Sequence, residues 1–194
     1  MREVLSIVSG ILFFGACLPY IVAIIRKKTE PKKATWLIWA IMDTVIFAGM
    51  YASGVTNGQI IAAVLSGWII AALALKYGIP GWSKTDKRCL GGTMLGVVLW
   101  VTFNNPLFGI VILCVVGLLG SVPTFQSAHG NPEKEDRFAW TIWWISCVIA
   151  VLAIPHWTLA DAAQPLAFAT IESIMMYLLW IRPRRFRNQK PAAS

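Results

Sequence analysis

The sequence predicts an all-α membrane protein in which seven transmembrane helices form two parallel three-helix repeats joined by a linker helix. Three observations predict this class: long apolar runs, the positions of the basic residues, and one motif that occurs twice. Of the 194 residues, 57% are hydrophobic and only 13% are charged. A soluble domain is about a quarter charged, so this composition indicates a chain that lies in a lipid bilayer.

The apolar runs define the seven helices. A helix needs about 20 apolar residues to cross the hydrocarbon core of a bilayer, and seven stretches reach or approach that length. The fourth is short and glycine-rich. The predicted helices are Val4–Ile25, Ala34–Ser53, Gln59–Leu75, Cys89–Phe103, Leu107–Gln126, Phe138–Ile154 and Ala162–Ile181.

The basic residues indicate whether the fourth helix crosses. If all seven helices cross and the N-terminus lies outside, sixteen of the 17 Lys and Arg residues fall on the cytoplasmic side and Arg2 lies outside. If the fourth helix did not cross, the basic residues would be divided almost evenly between the two sides. Because cytoplasmic loops carry the excess of Lys and Arg, the sequence predicts seven crossings and a cytoplasmic C-terminus.

One motif occurs twice, 104 residues apart: a proline, a tryptophan 17 positions later, and a second tryptophan three further on. Two directly joined units of three helices would face opposite ways, and one linker helix restores a common direction. We therefore expect a first repeat over 1–76, a linker with one helix over 77–106, a second repeat over 107–194, and a solute site between the repeats. The two copies of the motif are Pro19, Trp36 and Trp39, and Pro123, Trp140 and Trp143.

This arrangement, with a proline late in the first helix of each repeat, resembles the SWEET sugar transporters and other PQ-loop proteins. The stretch Trp36–Asp43 also resembles the Trp-x-x-Trp-x-x-x-Asn motif of Pnu-type transporters, which carry nicotinamide riboside. The architectural resemblance covers the whole chain. Tyr20 and Thr124 stand where PQ-loop proteins have glutamine, and Asp43 stands where Pnu transporters have asparagine. The resemblance implies a carrier of a sugar or of a vitamin-like or nucleoside-like solute.

Pro19 and Pro123 have two interpretations. A proline about 15 residues into a helix removes a backbone hydrogen bond and kinks the helix, and membrane helices tolerate such kinks. The kink is either static or a hinge that lets the cytoplasmic end of the helix move. Its symmetric placement in both repeats favours the hinge.

The tryptophans of the motif open the second helix of each repeat. Trp36 and Trp140 are predicted to lie either in an aromatic belt at the cytoplasmic interface or in a cytoplasmic gate. Trp39 and Trp143 lie about 4.5 Å deeper, at 1.5 Å per residue. They are predicted to stack against a flat face of the solute.

Two acidic residues are predicted near the bilayer midplane. Asp43 and Glu172 each lie about ten residues into a helix, hence about 15 Å deep. A carboxylate there is costly unless it is paired, hydrated or protonated, so it is either a neutral structural acid or part of the solute site. The 104-residue offset relates Asp43 to Cys147 and Glu172 to Trp68. We expect all four side chains to surround one central cavity, where the acids could couple transport to protons.

Several function classes are excluded or disfavoured. The formal net charge of +8 is explained by membrane topology, so nucleic acid is not an expected partner. The chain has no phosphate-binding glycine loop, no metal-ligand spacing among its four cysteines, and two histidines far apart in sequence. We therefore expect neither an enzyme nor a bound cofactor or metal. The charged loop containing Glu133 and Glu135 is predicted to be solvated in the cytoplasm.

The sequence thus predicts a transporter of a small polar solute by alternating access, either facilitated or proton-linked and without ATP. The alternative is a PQ-loop-like receptor that binds without transporting. The expected partners are the solute and the lipid bilayer, with homo-oligomerisation left open. The short outer loops and the absence of a cleavable signal favour a multi-pass protein of a bacterial inner membrane.

Overall fold

The computed structural model describes residues 1–103 and 105–182, except for the side chain of Pro106. Within these ranges the secondary structure is helical, with no strand. The Asn104 turn signal and the basic tail after Arg182 lie outside the described residues. The helices are α1 (Arg2–Ile25), α2 (Lys33–Ala52), α3 (Gly58–Tyr77), α4 (Lys84–Phe103), α5 (Pro106–Gly120), α6 (Val122–Gly130), α7 (Arg137–Leu152) and α8 (Leu159–Met176). A 3₁₀ turn (Pro132–Lys134) precedes α7, and a π-helical turn (Tyr177–Ile181) continues α8.

Five of the described helical segments are long and apolar enough to cross a membrane, counting α5 with α6 and α8 with its π-helical turn. The apolar helix α7 is shorter, with 16 residues. The predicted membrane character is confirmed at this level. Helix α4 begins at Lys84, five residues before its expected start at Cys89. A capping box explains the earlier start. The Ser83 hydroxyl accepts a hydrogen bond from Asp86 N at 3.0 Å, and Asp86 Oδ2 accepts one from Ser83 N at 2.8 Å, which satisfies two N–H groups at the beginning of the helix.

The fifth expected helix is interrupted. It consists of α5 and α6, which meet at Ser121, two residues before Pro123. Pro123 has no N–H for the Leu119 carbonyl, and Cys89 Sγ of α4 donates to that carbonyl at 3.5 Å instead. In contrast, α1 continues through Pro19 without interruption. Identical proline positions in the two copies thus have different local consequences.

The helices pack as two groups of three, which we call triads. The first triad is α1, α2 and α3, and the second is α5, α7 and α8, with α6 continuing α5. In the first triad α3 contacts both α1 and α2, and in the second α8 contacts both α5 and α7. Between the triads, α1 packs against α7 and α2 packs against α5. Helix α4 packs mainly on α5. The central space of the molecule therefore lies between α1 and α2 on one side and α5 and α7 on the other.

Loop contacts define two ends of the bundle. At the Arg2 end, Arg2 donates to the Pro155 carbonyl, and Gly58 N donates to Ser6 Oγ at 2.9 Å. A Cβ on Gly58 would lie 2.5 Å from the Ser6 carbonyl oxygen, so only glycine permits this approach of α3 to α1. At the Glu30 end, Glu30 forms an ion pair with Lys134 at 2.5 Å. Helix α1 runs from the first of these ends to the second.

Candidate functional site: a cavity between the two helix triads

A cavity of about 610 Å³, including the open space at its mouth, lies between the triads. Its walls come from both triads, and no Lys or Arg is among the lining residues in the described part of the chain. The lining residues are Phe13, Trp36, Trp39, Met42, Asp43, Ile46, Ala63, Ser66, Gly67, Leu113, Cys114, Gly117, Trp143, Ala167, Phe168, Ile171 and Glu172. The space inside it that a water molecule can occupy is only about 40 Å³, so the cavity is nearly closed in this conformation.

Four of the six residues predicted to bind solute line this cavity. Trp39 and Asp43 enter it from α2, one turn apart. Trp143 enters from α7 and Glu172 from α8. The structure brings these four side chains to one cavity, whereas their role in binding stays a prediction.

Trp68 was predicted to line the cavity, and this placement is wrong. Its side chain is 45% exposed on the outside of α3 and donates from Nε1 to Thr44 Oγ1 at 3.0 Å. The face of α3 that lines the cavity carries Ala63 and Gly67. Trp68 is turned about 100° from Gly67 around the helix axis, which points it away from the cavity.

Cys147 is buried, as its sequence environment indicates, but it does not line the cavity. It accepts a hydrogen bond from Gln59 Nε2 at 3.1 Å. Gln59 Oε1 in turn accepts from Gln164 Nε2 at 3.1 Å, and Gln164 Oε1 accepts from Asn57 Nδ2 at 2.9 Å. These bonds join α3 of the first triad to α7 and α8 of the second.

A pair of serines extends this network, which we call the polar layer and define as Ser9, Asn57, Gln59, Ser146, Cys147 and Gln164. Ser9 Oγ donates to the Ser146 carbonyl at 3.0 Å, and Ser146 Oγ donates to the Ser9 carbonyl at 2.8 Å. Both serines are fully buried where α1 crosses α7. The polar layer closes the contact between the triads toward the Arg2 end. Apart from Cys147, the residues of this layer were not predicted, although polar residues inside apolar runs were the available signal.

The motif tryptophans meet in one aromatic cluster, which we define as Tyr20, Trp36, Trp39, Trp140 and Trp143. Tyr20 lies 5.3 Å from Trp36 and 5.1 Å from Trp143, between ring centroids. Trp39 lies 6.2 Å from Trp140. The two copies of the motif therefore form a single contact between the triads, on the Glu30 side of the cavity.

An aromatic belt does not describe Trp36 and Trp140. Trp36 is 5% exposed and Trp140 is fully buried, whereas a belt residue faces the membrane interface. Trp36 lines the cavity, and Trp140 lies behind it in the aromatic cluster. Burial therefore argues against the belt for both residues, whereas a gating role stays a prediction.

Two hydrogen bonds between the triads join residues that are related by the 104-residue offset of the motif. Trp39 Nε1 donates to the Gly117 carbonyl at 3.4 Å and to Ser121 Oγ at 3.2 Å. Trp143 Nε1 donates to the Phe13 carbonyl at 2.9 Å. Trp39 and Trp143 are equivalent positions, and so are Phe13 and Gly117. Each second helix thus binds, through the same tryptophan, the first helix of the other triad.

Glu135 was predicted to be solvated, and the structure shows it 4% exposed. Its Oε2 atom accepts from Tyr20 OH at 3.0 Å and from Trp140 Nε1 at 2.9 Å. Burial raises the pKa of Glu135 to about 7, and the two hydrogen bonds only partly oppose this. Glu135 therefore joins the loop before α7 to the aromatic cluster. A charged loop sequence carries no signal for such burial.

The two cavity acids have few polar neighbours. Asp43 is 8% exposed and Glu172 is 6% exposed. Glu172 Oε2 is buried without a hydrogen-bond partner. A buried carboxyl without a partner loses free energy relative to water, so this group is suited to meet a ligand or a proton.

Comparison with protein-family models, with curated proteins and with solved structures finds no significant match for this chain.

Proposed function

We propose that the chain is an integral-membrane transporter that carries a small polar solute by alternating access, without ATP. The central cavity is the observation that carries this proposal. It lies between the triads, with the aromatic cluster on its Glu30 side and the polar layer toward the Arg2 end. Opening one of these contacts while the other holds would expose the cavity to one side of the membrane at a time.

The proposed topology has seven crossings in two parallel repeats, with the N-terminus outside and the C-terminus in the cytoplasm. The equal packing order of the triads and the paired tryptophan hydrogen bonds support parallel repeats. The orientation is supported by the basic loops, since those after α1 and α3 contact each other at the Glu30 end through Ile79 N and the Pro31 carbonyl. A bacterial inner membrane is the compartment that we propose.

Uptake into proteoliposomes tests the transport proposal. Purified protein is reconstituted and offered nucleosides, vitamins, sugars and amino acids, each radiolabelled. We expect saturable uptake of at least one solute, reduced about tenfold or more by Asp43→Asn combined with Glu172→Gln, since both side chains line the cavity.

Trp68→Phe serves as the control, because Trp68 lies outside the cavity and should leave uptake unchanged. Saturable binding of a solute without uptake of any would contradict transport and favour a receptor. Uptake that persists in the double variant, with an unchanged pH profile, would remove both acids from the mechanism.

A further inference from the structure

The charge of the cavity is unbalanced. Asp43 from the first triad and Glu172 from the second both line it, and the described lining contains no Lys or Arg. Buried carboxylates in proteins are ordinarily paired with cations or saturated by hydrogen bonds. A ligand that enters this cavity therefore meets up to two negative charges and, within the described lining, no positive side chain.

Glu172 shows this lack of a partner most directly. Its side chain is 6% exposed, it lines the cavity, and its Oε2 atom has no hydrogen-bond partner. A bound cation would supply the missing partner in a site of low dielectric, where charge–charge attraction is strong. A solute with neither a positive charge nor a hydrogen-bond donor would leave this carboxyl unpaired.

Five aromatic side chains form part of the walls around the acids. Trp36, Trp39 and Trp143 line the cavity, together with Phe13 and Phe168. The indole N–H groups of Trp39 and Trp143 donate to backbone carbonyls of the opposite triad. These two rings therefore offer a ligand their π-systems rather than hydrogen-bond donors. A cation is attracted to the face of an aromatic ring, most strongly to tryptophan.

We propose that the cavity selects organic cations, specifically a quaternary or ring-nitrogen cation that has an apolar face. The acids supply charge and the rings supply a surface for the methyl groups or flat face of the solute. This inference rests on the proposed function for transport, whereas selective binding does not require that the solute crosses the membrane.

Isosteric ligand pairs test the selectivity. Choline is compared with 3,3-dimethyl-1-butanol, in which carbon replaces the quaternary nitrogen, and N-methylpyridinium is compared with toluene. Binding to the purified full-length protein in detergent is measured by calorimetry and by quenching of tryptophan fluorescence. We expect at least one cation to bind about tenfold or more tightly than its neutral isostere. Equal affinities in both pairs, or no cation binding at millimolar concentration, would overturn the proposal.

Variants that remove the negative charges test which residues cause the selectivity for cations. Asp43→Asn and Glu172→Gln keep the shape of each side chain, and together they should bring the cation-to-neutral affinity ratio close to one. Glu133→Gln is the matched control, because Glu133 is an exposed acid outside the cavity. A ratio that stays unchanged in the double variant would contradict the assignment to these acids. If the double variant fails to fold, the wild-type isostere pairs still decide the question.

Uptake of the same ligands separates this inference from the proposed function. Uptake of neutral solutes with exclusion of both cations would overturn the inference and leave transport standing. Selective cation binding without uptake of any solute would leave the inference standing and overturn transport.

Discussion

Glu135 connects residues that are far apart in the sequence. It precedes α7, yet it accepts hydrogen bonds from Tyr20 of α1 and from Trp140 of α7 through one oxygen. Its other oxygen, Oε1, is buried without a partner. Because Tyr20 and Trp140 belong to different triads, the protonation state of this carboxyl bears on the contact that closes the Glu30 side.

The pKa of Glu135 predicts how stability depends on pH. Burial raises it from an ordinary 4.5 to about 7, so the folded protein holds a proton that the unfolded chain releases between these values. The contribution of Glu135 is fully present below about pH 4.5, falls as pH rises, and is lost above about pH 7. The shift corresponds to at most about 3 kcal/mol. Melting temperatures of the protein in detergent, followed by tryptophan fluorescence, should therefore decrease across this window.

Glu135→Gln removes the titrating group and should make the decrease in melting temperature across this pH window smaller. Glu133→Gln changes a neighbouring exposed acid and should leave it in place. Asp136 and Tyr20 are the titratable groups that act on Glu135, and the charged residues Lys28, Glu133 and Arg137 line the same shallow depression. An identical pH profile in wild type and Glu135→Gln would show that Glu135 does not control this contact.

At the scale of elements, the two prolines of the motif act in different surroundings. In α1, Pro19 leaves the helix continuous. Before Pro123, glycines at 117 and 120 have low helix propensity, and the Ser121 hydroxyl donates back to the Gly117 carbonyl at 2.8 Å. A Cβ on Gly120 would lie 2.5 Å from Ile38 Cγ2, so the glycine also permits close packing against α2. The break is therefore a property of the whole segment.

Replacement of the prolines tests the hinge. Alanine at 19 or 123 restores an N–H group and favours a regular helix, so we expect a higher melting temperature and a slower initial uptake for each variant. The loss should be larger for Pro123→Ala, because it acts on an existing break. Pro80→Ala in the exposed loop after α3 is the control and should change neither quantity. Uptake at the wild-type rate in Pro19→Ala, Pro123→Ala and the double variant would refute the hinge.

Helix positions could be predicted from the sequence, whereas helix rotations could only partly be predicted. Long apolar runs located the membrane helices, and the spacing of four placed Trp39 and Asp43 on one face of α2. The outward face of Trp68 could not be foreseen, because both the lipid-facing and the bundle-facing sides of a membrane helix are apolar. The burial of Glu135 depends on Tyr20, which lies 115 residues away. Only tertiary packing brings such groups together.

For the whole molecule, the cavity has a different kind of contact on each side. The aromatic cluster buries large rings at the Glu30 side, and its stability comes mainly from apolar area and ring geometry. The polar layer is held by directional hydrogen bonds, including the reciprocal pair between Ser9 and Ser146. Alternating access requires each contact to open while the other holds. The polar layer is therefore the contact that a crosslink can test most directly.

Ser9 and Ser146 provide the crosslink. Their Oγ atoms lie 3.2 Å apart across α1 and α7, so Ser9→Cys with Ser146→Cys places two thiols close enough for a disulfide after a small adjustment. The four native cysteines are first replaced by alanine, which prevents wrong pairing. We expect oxidation to lower uptake about tenfold or more and a reducing agent to restore it, because the disulfide holds the Arg2 end closed.

Each single cysteine variant, treated with the same oxidant, controls for chemical damage and should transport normally. Binding of a transported solute from the Glu30 side should survive oxidation, since the crosslink leaves the aromatic cluster free to open. Retained binding would show that the disulfide blocks opening at the Arg2 end without distorting the cavity. If the disulfide forms quantitatively and uptake continues at the wild-type rate, the triads do not separate at Ser9 and Ser146. The solute would then have to pass between the cavity and the Arg2 end by a route outside the polar layer.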